Sequence, residues 1–204
     1  MKIAGDKTDK DWLSLELKIK VDFGNVDLWN QALDFFEDRL NERYIKPAEE
    51  IQDNLSALGE GFAITTLLCS LIEALETFYE GKCFKCGPPR SKYDYGNGTS
   101  RLIYVNFLTK REPFKAMFSP DLAKDFYNNV RCALLHEAMT RNGWVIRTNS
   151  EGLVEEKDGE KRLNRRVFLQ EIKNYLKKYR GVVQGSKDRK DAFIRKMKCI
   201  CDNS

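Results

Sequence analysis

Two side chains with the chemistry for proton transfer and anion binding lie five positions apart, in the segment FYNNVRCALLHEA. His136 is the only histidine of the chain, and an imidazole titrates near neutral pH. Arg131 is always charged and can hold an anion through two parallel N–H donors. Any acid–base chemistry that uses an imidazole must therefore use His136, with Arg131 as the candidate group for binding negative charge.

The local sequence predicts a helix that carries both side chains. Ser119 suits the N-cap, Pro120 the first helical position and Asp121 the first turn. Asn142-Gly143 is typical of a helix end. Between these signals, apolar residues recur at helical spacing: Phe126, Val130, Ala133, Leu134 and Ala138. We therefore expect one largely apolar helix from Ser119 to Asn142-Gly143.

The arrangement Arg-x-x-x-x-His on this helix resembles the signature of the HEPN superfamily (higher eukaryotes and prokaryotes nucleotide-binding). Many members of that superfamily are small all-helical proteins that dimerise and cut RNA without a metal. The match covers the motif helix strongly and the preceding apolar helix loosely. The resemblance implies a HEPN-like helical bundle and a metal-independent endoribonuclease of the toxin or defence type, with Arg131 and His136 as catalytic residues.

The spacing of Arg131 and His136 along the helix bears on whether one chain can form the site alone. On an ideal helix, five residues place Arg131 and His136 about 140° apart around the axis and about 7.5 Å apart along it. One helix therefore does not bring both into a tight site. The resemblance implies a homodimer in which two motif helices share a cleft, where Asn128 and Asn129 add hydrogen-bond donors. There His136 would act as acid or base on RNA and Arg131 would bind phosphate oxygens.

A second apolar helix, predicted from Phe62 to Tyr79, carries Glu73 on its remaining polar stripe. A buried carboxylate needs a partner or stays protonated, and Arg131 is the natural partner. Two interpretations stay open and are compatible with each other. The pair is either a plain interior ion pair or a support that holds the guanidinium in position.

A non-catalytic function is the alternative to cleavage. Cys132 follows the motif arginine, where active ribonucleases of the family usually carry a polar residue. An ion pair between Arg131 and Glu73 would also occupy the guanidinium. Both features favour a helical dimer that binds RNA or a partner protein and keeps the motif as structure. In the enzymatic interpretation, a protein partner would be antitoxin-like.

Four of the six cysteines form two close pairs, Cys83 with Cys86 and Cys199 with Cys201. The step Cys-x-x-Cys-Gly resembles half of a zinc knuckle, and a structural zinc needs four ligands. The alternative is free thiols in a reduced cytosol. We expect neither zinc nor a disulfide. The sequence contains no Gly-rich phosphate loop and no dinucleotide fingerprint, so no cofactor is expected.

Charge is spread unevenly along the chain. The net charge is −9 over residues 1–80, +3 over 81–160 and +10 over 161–204. A basic C-terminus can attract RNA or can simply form a solvated helix face. The irregular loop 81–118 adds aromatic and basic side chains able to stack on and grip single-stranded RNA: Phe84, Tyr93, Tyr95, Lys82, Lys85, Arg90 and Lys92.

The 204 residues are interpreted as a single HEPN-like domain, mainly α with a small antiparallel β-sheet. The N-terminal part, 1–26, includes a strand predicted over 13–23, where apolar and polar residues alternate. A helical core (27–143), a β-hairpin (144–163) and basic C-terminal helices (164–204) follow. The sequence has no run of about 18 apolar residues and no signal-peptide core. We therefore expect a cytoplasmic protein without a membrane span.

Overall fold

A computed structural model describes residues 1–54, 59–96 and 98–203 of the chain. It confirms a mainly α fold with a small β elaboration. By its packing, the chain divides into two compact units. Unit 1 comprises Met1–Lys46, Thr77–Gly96 and Leu176–Ser204, and unit 2 comprises Pro47–Glu76 and Asn97–Tyr175.

Helices make up most of both units. The α-helices are α1 (Asp9–Val21), α2 (Val26–Leu40), α3 (Lys46–Asn54), α4 (Glu60–Glu80), α5 (Ser100–Lys110), α6 (Pro120–Phe126), α7 (Ala133–Glu137), α8 (Arg165–Gly185) and α9 (Lys187–Asp202). The strands are β1 (Lys2–Ala4), β2 (Lys7–Thr8), β3 (Cys83–Phe84), β4 (Asp94–Tyr95), β5 (Trp144–Arg147), β6 (Val154–Lys157) and β7 (Glu160–Asn164). A 3₁₀ turn spans Phe114–Ala116, and π-helical segments span Asn41–Ile45 and Tyr127–Cys132.

The strand predicted over 13–23 is wrong, because residues 13–21 lie in α1. The Thr8 side chain accepts a hydrogen bond from the Asp11 amide, and the Asp11 carboxylate accepts one from the Thr8 amide. This capping box starts the helix. Trp12, Leu15 and Ile19 then form a buried stripe at helical spacing. The alternation of apolar and polar residues suggested a strand because three further apolar residues of α1 are exposed rather than buried: Leu13, Leu17 and Val21.

The helix predicted from Phe62 to Tyr79 is confirmed as α4. Its length and its mean hydropathy of 1.4 over one 18-residue window would suit a membrane span. However, 56% of that window is buried inside the protein. Core helices of soluble proteins combine the same length and composition, and α4 fits that description.

The small sheet of unit 2 differs from the predicted antiparallel arrangement. β6 and β7 form the expected hairpin, whose turn residues Asp158 and Gly159 both have positive φ. β5 pairs with β7 in parallel, so the strand order is β5-β7-β6 and the sheet is mixed. Since Trp144 opens β5 and is 2% exposed, this strand anchors the sheet to the core of unit 2.

Aromatic side chains build the core of each unit. In unit 1, Trp12, Trp29, Phe36 and Phe78 surround Phe193 with ring centroids 5.7 to 6.3 Å away. In unit 2, Phe126 contacts four other rings in the same way: Tyr104, Phe118, Trp144 and Phe168. Phe126 is fully buried and is the last residue of α6, so the start of the motif helix is held by the core.

The prediction that the cysteines stay unpaired is wrong for two of them. Cys83 and Cys199 form a disulfide, with Cα atoms 5.9 Å apart. Gly81 makes the close approach possible, since a Cβ there would lie 2.7 Å from Ala192 backbone atoms of α9. Of the other cysteines that the structure describes, Cys86 and Cys201 form no disulfide. Among the residues that the structure describes, no three potential ligands cluster as a metal site would require.

Candidate functional site

The motif helix begins as predicted and changes its winding halfway. The Ser119 hydroxyl accepts a hydrogen bond from the Leu122 amide at 3.1 Å, and Pro120 occupies the first turn. α6 then passes into the π-helical segment Tyr127–Cys132 before α7. Single π-helical turns inside α-helices are frequent at functional sites. Arg131 lies in the π-helical segment, and His136 lies in the last turn of the helix.

The helix ends earlier than Asn142-Gly143, the predicted terminus. Ala138, directly after α7, adopts a left-handed conformation with φ 53°. The chain then folds back, and the Arg141 amide donates to the Asn129 carbonyl at 2.9 Å. Asn142 and Gly143 also have positive φ, at 50° and 77°. They therefore form the turn into β5 rather than the helix cap.

Arg131 is held from two sides. Its Nη2 lies 3.2 Å from Oε2 of Glu73, which confirms the predicted ion pair. The guanidinium carbon lies 5.4 Å from the centroid of the Tyr127 ring, one helical turn earlier. Ser100 at the start of α5 donates to the other Glu73 oxygen at 3.1 Å. The Arg131 and Glu73 side chains remain 19% and 16% exposed, so the pair borders solvent.

Electrostatics keep Arg131 charged. Burial acts to lower the pKa of Arg131, but the facing Tyr127, Glu73 and Cys132 outweigh it and raise that pKa. Burial and Cys132 raise the pKa of Tyr127, so its phenol is neutral at neutral pH. Behind them, burial raises the pKa of the Cys69 thiol to about 12. Arg131 and Glu73 are thus the charged pair in a cluster of neutral hydroxyl and thiol groups.

His136 contrasts with Arg131. Its side chain is exposed on α7, and it makes no hydrogen bond or ion pair with any other residue that the structure describes. Leu135 and Met139 beside it are 47% and 48% exposed. Asn128 is likewise exposed. The imidazole is therefore accessible to a ligand, and the structure does not bring it into contact with Arg131 of the same chain.

Both ends of the Asn129 amide have partners within the protein. Asn129 is buried, and its amide nitrogen donates to Asp125 Oδ1 at 2.6 Å. Its amide oxygen accepts from Asn142 at 3.0 Å. The amide nitrogen thus bonds within the motif helix, and the amide oxygen ties that helix to the following turn. Asn128 stays available as a donor.

Asp125 is a site residue that the sequence did not reveal. Its carboxylate also accepts from Trp144 Nε1 at 2.9 Å and Lys161 Nζ at 2.6 Å. Burial acts to raise the pKa of Asp125, but the hydrogen bonds from Lys161, Trp144 and Asn129 outweigh it and lower that pKa. Asp125 therefore locks the motif helix to β5 and β7. No local sequence pattern identifies such a residue, since its partners come from strands that are distant in the sequence.

The arrangement offers an exposed proton-transfer group and a positioned guanidinium on one helical segment. Cys132 is half-buried and contributes to the raised pKa values of both Tyr127 and Arg131. A guanidinium beside solvent is chemically suited to anion binding, and an exposed imidazole is suited to proton exchange. No protein-family model, curated protein or solved structure matches the chain.

Proposed function

We propose that this chain is a HEPN-like, metal-independent endoribonuclease of the cytoplasm, of the toxin or defence type. One observation carries the proposal: Arg131 is held in place by Glu73 and Tyr127, while the only imidazole of the chain is exposed one turn further along the same segment. An arginine fixed beside solvent suits phosphate binding. An exposed histidine suits proton transfer to and from a substrate.

In the proposed reaction, the 2′-hydroxyl of RNA attacks the adjacent phosphorus atom. His136 accepts the proton from the 2′-oxygen as the O2′–P bond forms. The P–O5′ bond breaks, and the leaving 5′-oxygen takes a proton from a second imidazole. Arg131 stabilises the charge that develops on the non-bridging oxygens. The products end in a 2′,3′-cyclic phosphate and a 5′-hydroxyl.

The second imidazole requires a second chain, because His136 is the only histidine. We therefore propose a two-fold homodimer with the ends of the motif helices at the interface. The exposed Leu135 and Met139 beside His136 supply apolar surface for such an interface. An antitoxin-like protein that covered this surface would silence the enzyme.

The second candidate function is a non-catalytic helical dimer that binds RNA or a partner protein. It is favoured by the Arg131–Glu73 ion pair, which neutralises the motif arginine in the absence of ligand. Cys132 at the position after Arg131 favours it as well. In this function the motif helix would contribute packing, and the exposed surface around His136 would contribute contacts.

A degradation assay on purified protein decides between the two. The enzyme should cleave single-stranded RNA with excess chelator present, and mass spectrometry should find 2′,3′-cyclic phosphate ends. Arg147→Ala, which removes an exposed arginine outside the motif, should cleave like the wild type. An inactive wild type that dimerises and retains RNA in a binding assay would favour the second function. Loss of cleavage in chelator would contradict the metal-independent mechanism.

A further inference from the structure

Unit 1 contains a cleft of about 440 Å³ whose charged lining is entirely positive. Four cationic side chains border it, and no lining residue that the structure describes is acidic. They come from three separate stretches of sequence: Arg39, Arg43, Lys85 and Lys196. A volume of this size is typical of small-molecule sites.

Other clefts of the same unit lack this imbalance. Three of them also contain basic residues, but each includes at least two carboxylates. Their acidic residues are Glu80, Asp188 and Asp191 in one, Asp11 and Asp34 in the second, and Asp6, Asp38 and Glu42 in the third. The excess positive charge is therefore a property of the first cleft rather than of the basic C-terminus as a whole.

Backbone carbonyls, not carboxylates, orient the two arginines. Arg39 Nη1 donates to the Ile3 carbonyl at 2.6 Å, and Arg43 Nη2 donates to the Lys2 carbonyl at 3.3 Å. Neither guanidinium lies within ion-pair distance of a carboxylate in the described parts of the chain. Burial and the neighbouring charge of Arg43 lower the pKa of Arg39. A bound anion would offset both effects.

An aromatic ring stands beside these charges. Phe84 lines the same cleft and is 44% exposed. Its ring packs edge to face against Tyr95, with centroids 5.4 Å apart and planes at 69°. The paired strands β3 and β4 hold both residues. A ring fixed in this way, with nearly half its surface free, can stack on a planar base.

We propose that this cleft binds a nucleotide, with its phosphate on Arg43, Lys85 and Arg39 and its base against Phe84. The nucleotide is either free in solution or one unit of a single-stranded RNA, since both present the same phosphate and base. The inference does not depend on the proposed ribonuclease activity. Its residues lie in unit 1 and include none of the motif residues.

Calorimetric titration of the full-length protein tests the site with two probes. The probes are AMP and a hexa-adenylate with 2′-O-methyl groups, which removes the nucleophile needed for cleavage. Arg43→Ala and Lys85→Ala should each weaken binding about tenfold, as expected for loss of a hydrogen bond to a charged group. Phe84→Ala should weaken it by about tenfold through lost stacking. Circular dichroism checks that the variants remain folded.

Two matched controls separate the cleft from general attraction to polyanions. Lys10→Ala and Lys178→Ala each remove one exposed positive charge from unit 1, outside all four clefts. Each should change the affinity less than about twofold.

The probes also distinguish the sources of the ligand. If AMP binds, and binds more weakly to the cleft variants as expected, the site takes a free nucleotide. If only the hexa-adenylate binds, the ligand is RNA. Binding of neither probe by the wild type overturns the proposal. An equal loss of affinity in the control variants and in the cleft variants overturns it as well. Neither result bears on RNA cleavage, which the degradation assay measures separately.

Discussion

Arg131 and His136 lie on one helical segment, yet the structure surrounds them differently. Arg131 contacts a carboxylate and an aromatic ring, and its side chain is 19% exposed. His136 is exposed and makes no polar contact with the other described residues. The contacts that orient Arg131 therefore come from the same chain, whereas those of His136 do not. In the proposed enzyme, RNA and a second chain would complete the surroundings of His136.

The largest expected effect is at the Arg131 end. Arg131→Ala should abolish RNA cleavage and also lower the free energy of unfolding by about 1–3 kcal/mol, because Glu73 loses its partner. Adding Glu73→Gln should restore stability but not cleavage, since the amide still accepts from Ser100. Urea unfolding and the cleavage assay measure the two effects. Full stability in Arg131→Ala would show that the ion pair does not hold the site.

A double substitution beside His136 should dissociate the proposed homodimer into single chains. Leu135→Glu with Met139→Glu places two charges in the proposed interface. Light scattering at tens of micromolar should then fall from twice the chain mass of 23.7 kDa to a single chain, and cleavage should fall with it. Both positions are exposed, so monomer stability should change little. A wild type that is monomeric at this concentration would contradict the shared cleft.

Much of the structure around Arg131 and His136 was predictable from the sequence. Ser119 and the apolar run of α4 gave helix boundaries from local chemistry alone. The Glu73–Arg131 pair was predictable because a carboxylate in an apolar helix needs a partner. Ser100 and Asp125 were not, since their roles arise only where distant segments meet. Tyr127, four residues before Arg131, is the one missed contact that helical spacing signals.

A smaller effect concerns the link between the motif helix and the sheet. Asp125→Asn should cost about 1–3 kcal/mol of unfolding free energy at pH 7, because charged hydrogen bonds to Lys161 and Trp144 are lost. The pKa of Asp125 is lowered from 3.8. The contribution is therefore complete above that value and is lost as the pH falls through the lower folded-state pKa. Urea midpoints of variant and wild type should converge at acid pH; a constant gap would contradict this linkage.

The smallest effect is on thiol reactivity. Cys69 lies behind the Arg131 end, buried, with a pKa of about 12, whereas Cys86 is exposed. Iodoacetamide reacts with the thiolate. At pH 8, native protein should be labelled at Cys86 well before Cys69, as peptide mass spectrometry can follow. Similar labelling rates at Cys69 and Cys86 would mean that the core around Cys69, behind Arg131, opens to solvent.

In the proposed mechanism, His136 transfers protons during RNA cleavage without a metal. The direct measurement is the cleavage rate of wild type and His136→Ala in excess chelator, with circular dichroism to confirm that both are folded. Because His136 is exposed, the variant should keep wild-type stability and lose about 10²–10⁴-fold in rate. A His136→Ala protein that cleaves RNA at the wild-type rate would contradict the proposed mechanism, since the chain has no other imidazole.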